Sequence, residues 1–363
     1  VSYLLCIETA NPKHLHKQND FTEFYCNSVS HDETAERKIK VIANKSSIKE
    51  RYSVIPDFSL KAQDFTFFEK NKSLEPSPLL SKRMAIYNKE ALQLSLQAIH
   101  KIEGINELKE KITHIITVTC TGLFAPGLDI ELINALKLKP NTNRSSINFM
   151  GCNAAVLALK QAHQICNSTP NSVVLIVCTE LCTIHFQKNY SDDYILSNLL
   201  FADGSAAAIV SSNNISINKK YTPLKLNSFH SLIIEEGLKE MAWQVTETGF
   251  IMNLTSYVSP LLKKHLPNLL DHLHINKSDI QHWAVHPGGK RILDDFCSTL
   301  SLNESDLKDS YQTLENYGNM SSPTILFVLK NLLQNNQIKK EETIYAVAFG
   351  PGLSIESVLL KHV

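Results

Sequence analysis

Residues 145–166 read SSINFMGCNAAVLALKQAHQIC, from Ser145 to Cys166. The stretch predicts a short strand over Ile147 to Met150, a sharp turn at Gly151-Cys152 and then a helix. Ala155, Leu159 and Ala162, with Val156 beside them, recur at three- and four-residue spacing, the period of one helix face. A cysteine at the point where a strand turns into a helix meets unpaired backbone N–H groups and a partial positive charge. Both favour a thiolate over a thiol. Gly151 permits the tight approach such a turn needs. The arrangement is a nucleophile elbow with cysteine in place of serine. A buried core cysteine fits the same stretch, because free cysteine is among the most buried residue types. The partners elsewhere in the chain must decide between these readings.

The chain has 363 residues, 43% of them hydrophobic, enough for two domains or one large two-part domain with a sizeable core. Lys+Arg and Asp+Glu both number 36. A formal charge of zero supplies no basic field for nucleic acid and no polybasic tail for a membrane surface. The eight cysteines form no CxxC pair and no dense framework, which predicts reduced thiols in a cytosolic enzyme and no metal site. The first residues, VSYLLCIETANP, are too short a run for a signal-peptide core, and no run reaches the 18 or so apolar residues of a membrane span. The expectation is a soluble, cytoplasmic protein.

Outward from the elbow, strands and helices alternate. Residues 1–9 predict a strand, 13–52 a mostly helical region, 53–80 an irregular one and 81–103 a helix closed by Gly104. HIITVTCTG (114–122) and SVVLIVCTE (172–180) predict buried strands, with a helix at 128–138 between them. FADGSAAAIVSS (201–212) is a small-residue turn into a strand. The polar stretch 211–223 marks a boundary, so residues 1–212 form one half and 222–363 a second. The second half repeats the plan: a helix over Ser259 to Leu270, HWAVHPGG (282–289) as strand and glycine turn, a helix from Lys290, a loop and helix in NYGNMSSPTILFVLKNLLQ, and a closing strand–turn–strand in IYAVAFGPGLSIESVLLKH. Such alternation predicts an α/β fold with layered sheets.

The strand-end loops carry the polar residues that need a reason. Cys152 stands at the elbow, His286 before Pro287-Gly288-Gly289, Asn319 inside YGNMSS, and Gly350, Pro351 and Gly352 form a glycine turn. Singly, His286 is an ordinary strand-end hydrogen bonder and Asn319 an ordinary helix cap. Together they make a Cys, His, Asn set, and the motifs around them, GCNAA, HWAVHPGG, YGNMSSPTILF and AFGPGLSIES, resemble those of the type III polyketide synthases, the chalcone and stilbene synthase family. FADGSAAAIV, TGLFAPGLD and KSSIKERY are similar to that family's pattern too. The resemblance runs from Lys38 to the C-terminus.

The resemblance implies the thiolase fold, two similar halves in a five-layered αβαβα sandwich, as a homodimer. It implies an acyl-CoA starter extended with malonyl-CoA, with no carrier protein, metal or organic cofactor. Cys152 as thiolate would hold the growing chain as a thioester. A free thiol titrates at about 8.5, so His286 as imidazolium would supply the help by ion pairing. Loss of CO2 from malonyl-CoA leaves an enolate, and the Asn319 amide with the His286 ring N–H are the donors for its oxygen. Phe201 matches a family phenylalanine at the mouth between CoA tunnel and cavity. Lys38 and Lys45 match CoA-phosphate positions, with Val41 where the family has an arginine. Met252 falls at a second gatekeeping position. Cys120, Cys182 and His185 fall at small cavity positions, Trp243 at a small glycine, and Ser321 also in the cavity; Ala125 replaces a methionine that reaches across the dimer in relatives. MAWQVTETGFIMNL resembles bacterial members, some of which take fatty acyl starters and make alkylpyrones or alkylresorcinols. An aromatic starter is less expected. Starter, extension number and cyclisation to pyrone, resorcinol or related phenolic are not fixed by the motifs.

Three other readings share parts of the pattern. The ketoacyl synthase of fatty-acid initiation has Cys, His and Asn but not HPGG followed by GNMSS and FGPG. A papain-like cysteine hydrolase has the same chain order, but without the local surround of Cys152. A catalytically silent partner subunit would have lost one of Cys152, His286 and Asn319, and all three are present.

Overall fold

A computed structural model describes residues 1–363 except 216, 218, 219, 256, 273, 274, 336 and 337, and leaves aside the side chains of 268, 271 and 272. Three of these positions fall in the 211–223 boundary, so that part of the boundary lies outside the described residues. The strands are β1 (Ser2–Ala10), β2 (His14–Lys17), β3 (Glu50–Ser53), β4 (His114–Thr119), β5 (Asn143–Asn148), β6 (Val173–Leu181), β7 (Asp203–Ser211), β8 (Leu224–Ile233), β9 (Met241–Thr246), β10 (Gly249–Leu254), β11 (His282–Val285), β12 (Thr343–Gly350) and β13 (Ser354–His362).

Nine of them hydrogen-bond in the order β11-β12-β13-β8-β1-β7-β6-β4-β5. The two halves meet where β1 pairs antiparallel with β8, Ser2 opposite Leu226. From that seam outward each half has the same plan. In the first, β1 is antiparallel to β7, β7 antiparallel to β6, and β6 parallel to β4. In the second, β8 is antiparallel to β13, β13 antiparallel to β12, and β12 parallel to β11.

Two helices, Ala154–Ser168 and Thr324–Asn335, pack against strands of both halves. Between two sheets a helix has no solvent face over most of its length, which is why its contact positions are small or apolar: Ala154, Ala155, Val156, Ala158, Leu159 and Ala162 are all buried. Ile116, Val118, Ala206, Ala284, Ile344 and Ala346 from the strands share that core. Truncating Leu159 there to alanine would cost about 2–5 kcal/mol. Helix Leu80–His100 covers the outer face of the first half, burying Tyr87, Ala91, Leu94 and Ala98 at helical spacing. Val258–His265 and Lys290–Leu300 cover the second half. The layers are therefore helix, sheet, central helices, sheet and helix, the thiolase-type sandwich.

Several local expectations shift. Residues 13–52 hold two helices, Gln18–Val29 and Glu33–Lys45, but a β2–β3 hairpin closes them at both ends. The strand before the elbow is Asn143–Asn148, four residues earlier than its start was read, and Phe149 turns the chain with φ +59°. One helix over 259–270 is instead two, Val258–His265 and Pro267–His272, because Pro267 has no N–H with which to continue the first. Residues 241–254 form a two-stranded ribbon, β9–β10, with Trp243 opposite Met252.

Candidate active site

Cys152 lies two residues before the central helix Ala154–Ser168, in a turn that only glycine can begin. Gly151 has φ +83°, and a Cβ on it would stand 2.1 Å from Pro351 Cδ. Pro351 thus presses directly on the elbow from the β12–β13 turn. Asn153 Nδ2 donates to Ser354 Oγ at 2.8 Å, a second tie between the same two segments. Gly350 touches the Asn153 amide with no room for a side chain. The glycine turn 350–352 fixes where the sulfur sits.

Asn319 is placed by its backbone. Its N–H donates to Leu200 O at 3.0 Å and its carbonyl accepts from Ala202 N at 2.9 Å. Gly318 makes that approach with φ +67°, its Cβ position 3.0 Å from Leu200 O. The side chain is oriented too. Ser321 N–H donates to Asn319 Oδ1 at 2.8 Å, so the amide NH2 is the group left for the site. The Cys152 sulfur lies 3.9 Å from that nitrogen and equally 3.9 Å from Oδ1.

His286 ends β11. Its N–H donates to Val347 O at 2.8 Å, extending the β11–β12 ladder by one residue, and β12 then runs into the turn that presses on the elbow. Its ring is fully buried, and among the described residues neither ring nitrogen has a hydrogen-bond partner. Burial pushes the imidazole down to about 3 and the Cys152 thiol up to about 11, against the pull of hydrogen bonds from Ser321 and Asn319. Burial works against the resting imidazolium expected from the sequence. Burial thus disfavours both charged forms, the thiolate and the imidazolium.

Glu180 was read only as the end of a strand, and the structure gives it a larger part. Its carboxylate is fully buried and accepts from Cys120 N at 2.8 Å, Thr121 Oγ1 at 2.7 Å, Thr119 Oγ1 at 3.2 Å and Ser322 Oγ at 2.7 Å. Burial raises its pKa while those donors lower it. It braces the loop after β4 against the loop that carries Asn319. An acid closing an otherwise apolar run, SVVLIVCTE, was the signal available in the sequence.

Beside the sulfur is a small chamber. One cavity of about 20 Å³ is lined by Cys152, Cys120, Cys182, Phe201, Trp243, Met252 and Ser321. An adjoining one of about 30 Å³ is lined by His185, Cys182, Phe201, Trp243, Phe250 and Met252. All seven residues read as gatekeeper or cavity positions surround these two spaces. Phe201 is held by its carbonyl, which accepts from the buried Arg51 guanidinium at 2.8 Å.

A larger groove of about 290 Å³ adjoins the chamber. Leu200, Leu254 and Val258 form its apolar floor and Lys45, Lys290 and Arg291 its cationic lining. Leu200 belongs to the buried cluster that holds Cys152 and Phe201, and Leu254 packs against it, so groove and chamber lie on two sides of shared packing. Lys45 lines this groove. Lys38 does not: it is paired with Asp192, since it lies two turns back along helix Glu33–Lys45. Lys290 and Arg291 were read only as the start of a helix. Among the described residues, no group of three or more His, Cys, Asp or Glu side chains is placed to hold a metal ion, and no helix is long and apolar enough to cross a membrane.

The two halves match separate family models. Residues 1–214 match the N-terminal domain of chalcone and stilbene synthases and residues 225–363 their C-terminal domain. The chain belongs to the chalcone and stilbene synthase family. A putative chalcone synthase of Bacillus subtilis (strain 168) is 30% identical over 76% of this chain and 79% of its own length. A probable polyketide synthase 1 of Dictyostelium discoideum is 27% identical over the whole chain, which spans only 11% of that longer protein. Among solved structures, PKS-I from the brown alga Ectocarpus siliculosus superposes with a TM-score of 0.90 at 26% identity, covering 100% of this chain and 99% of that one. A bacterial type III polyketide synthase, 1,3,6,8-tetrahydroxynaphthalene synthase of Streptomyces coelicolor A3(2), gives 0.87 at 26% identity and 99% coverage of both. The fold of this family member is that of the type III polyketide synthases.

Proposed function

We propose that this chain is a working synthase: it loads an acyl group from a CoA thioester onto Cys152 and extends it with malonyl-CoA. The observation that carries this is the Asn319 amide, its oxygen engaged by Ser321 N–H and its nitrogen 3.9 Å from the Cys152 sulfur. A hydrolase needs a group that activates water at the acyl-enzyme. A decarboxylative condensation needs none, only donors for an enolate oxygen, and Asn319 with the unpartnered His286 ring provides them.

Cys152 gives its proton to His286 and its sulfur attacks the starter thioester; the bond between the acyl carbon and the CoA sulfur breaks, and CoA leaves as its thiol, taking the proton from His286. Malonyl-CoA then occupies the groove, with its phosphates toward Lys45, Lys290 and Arg291. Its C–CO2 bond breaks, CO2 leaves, and the electron pair becomes an enolate held by Asn319 and His286. The enolate carbon attacks the acyl-Cys152 carbonyl, a carbon–carbon bond forms, and the sulfur leaves as thiolate. The product is a chain two carbons longer on CoA. Phe201 and Met252 at the chamber mouth set an apolar surface against the malonyl carboxylate, which favours its loss.

A homodimer and a cytoplasmic location belong to the same reading. Leu123 and Met150, 47% and 48% exposed beside the elbow, are apolar surface a second copy would cover. Light scattering at micromolar concentration checks the dimer. The function itself is tested with purified protein, malonyl-CoA and a panel of acyl-CoA starters, following CO2 and products by mass spectrometry. Absence of both CO2 and polyketide with every starter rejects it, and release of free acid without CO2 indicates a hydrolase.

A further inference from the structure

The ribbon β9–β10 closes the chamber with side chains fixed at both ends. Trp243 Nε1 donates to Cys120 O at 2.8 Å. His185 Nε2 donates to Thr121 O at 2.8 Å, and its Nδ1 accepts from Phe250 N at 3.0 Å. These two bonds fix a neutral imidazole in one tautomer. The His185 ring stacks on Phe250 at 4.2 Å and 10°, and Trp243 meets His185 edge-on at 5.9 Å. The ribbon is thereby pinned to the loop after β4, the loop that Glu180 braces. A wall with every polar end engaged cannot swing aside without leaving buried donors and acceptors unpaired. Met252, half-buried and unbranched, is the part of the wall that can turn.

The space this wall leaves is small. The chamber cavities of about 20 and 30 Å³ hold one water and two, at about 10–15 Å³ of such volume per water. We infer that the Trp243–His185–Phe250 wall makes this synthase favour short acyl-CoA starters, such as acetyl and butyryl, over long ones. This rests on the proposed function and names its substrate class. It runs against the long fatty acyl starters suggested by the resemblance of 241–254 to some bacterial members. An octanoyl or palmitoyl chain on Cys152 has no room behind Phe201, and the groove in front is the space left for the CoA arm.

The test separates loading from turnover. The protein is mixed with acetyl-, butyryl-, octanoyl- or palmitoyl-CoA without malonyl-CoA, and the acyl adduct on Cys152 is timed by intact-protein mass spectrometry. Acetyl and butyryl adducts are expected to form at least about tenfold faster than octanoyl, the size discrimination a rigid apolar wall can deliver. Trp243→Gly is expected to raise octanoyl loading by about tenfold and lengthen the products made with malonyl-CoA. Met252→Ala is expected to change both less. Octanoyl loading as fast as acetyl in the unaltered protein overturns the inference while leaving the synthase reading intact. No adduct from any thioester overturns both. The unaltered protein decides the matter by itself, so a variant that fails to fold does not protect the idea.

Discussion

The groove and the chamber lie next to each other and are built on opposite principles. The groove offers about 290 Å³, a leucine and valine floor, and cations carried on flexible stems. The chamber offers two adjoining cavities of about 20 and 30 Å³, walled by the Trp243 indole and, in the second, by the His185 imidazole and Phe250 ring, with the indole and imidazole nitrogens hydrogen-bonded. Leu200 faces the first and its neighbour Phe201 the second. A groove of this kind binds a common carrier and has no need to tell one acyl group from another. A rigid chamber can distinguish acyl groups, because its walls do not relax to fit the wrong one. Under the proposed function, the division would assign affinity to the groove and selectivity and chemistry to the chamber.

The largest effect expected is on the chamber's nucleophile. Cys152→Ala should abolish condensation, a loss of about a thousandfold or more, while binding of CoA, followed by calorimetry, stays near normal. A variant that still condensed would break the assignment. Next, Asn319→Ala should lower kcat by about 100- to 1000-fold, the usual loss for one oxyanion donor, with little change in KM. A KM effect instead would move Asn319 into the groove's account.

A thermodynamic probe of the chamber comes third. Burial lowers the folded-state pKa of both His185 and His286 from 6.5 to about 3. As pH falls, the unfolded chain takes up these protons first, so the stability each contributes is full above pH 6.5 and lost between 6.5 and 3. From pH 7 to pH 5 that amounts to about 2 kcal/mol per histidine. Asp203, raised to about 6 by burial, acts in the opposite sense and returns about 1 kcal/mol over the same range. His286→Gln should therefore shrink the pH 7 to pH 5 loss by about 2 kcal/mol in urea unfolding. An unchanged pH dependence would mean the ring is not held neutral. The smallest effect is expected in the groove. Lys45→Ala or Arg291→Ala should raise KM for malonyl-CoA by about fivefold, the worth of an exposed charge contact, with kcat unchanged and the difference fading at high salt.

The chemistry-bearing residues were legible because each sits at a strand end flanked by glycine or proline, and such turns admit few residue types. The elbow at Gly151-Cys152, the turn after His286 and the loop around Asn319 all announce themselves this way. Glu180 and Arg291 did not. Glu180 lies inside an apolar run, and its partners Cys120, Thr121 and Ser322 come from segments far apart in the chain. Arg291 begins a helix whose charge pattern is that of any solvated helix. The break at Pro267 was visible in principle, since proline cannot continue a helix, yet the apolar period ran through it.

The α/β alternation was readable in the chain alone, because periodicity and turn chemistry are local properties, and the candidate set Cys152, His286 and Asn319 was proposed from motif order and family resemblance. The tertiary structure decided how much room the sulfur has, which lysines face the groove, and whether burial favours charge at His286. Those depend on distances between segments as remote as Cys120 and Trp243, and on water excluded by packing, neither of which is written at any one position.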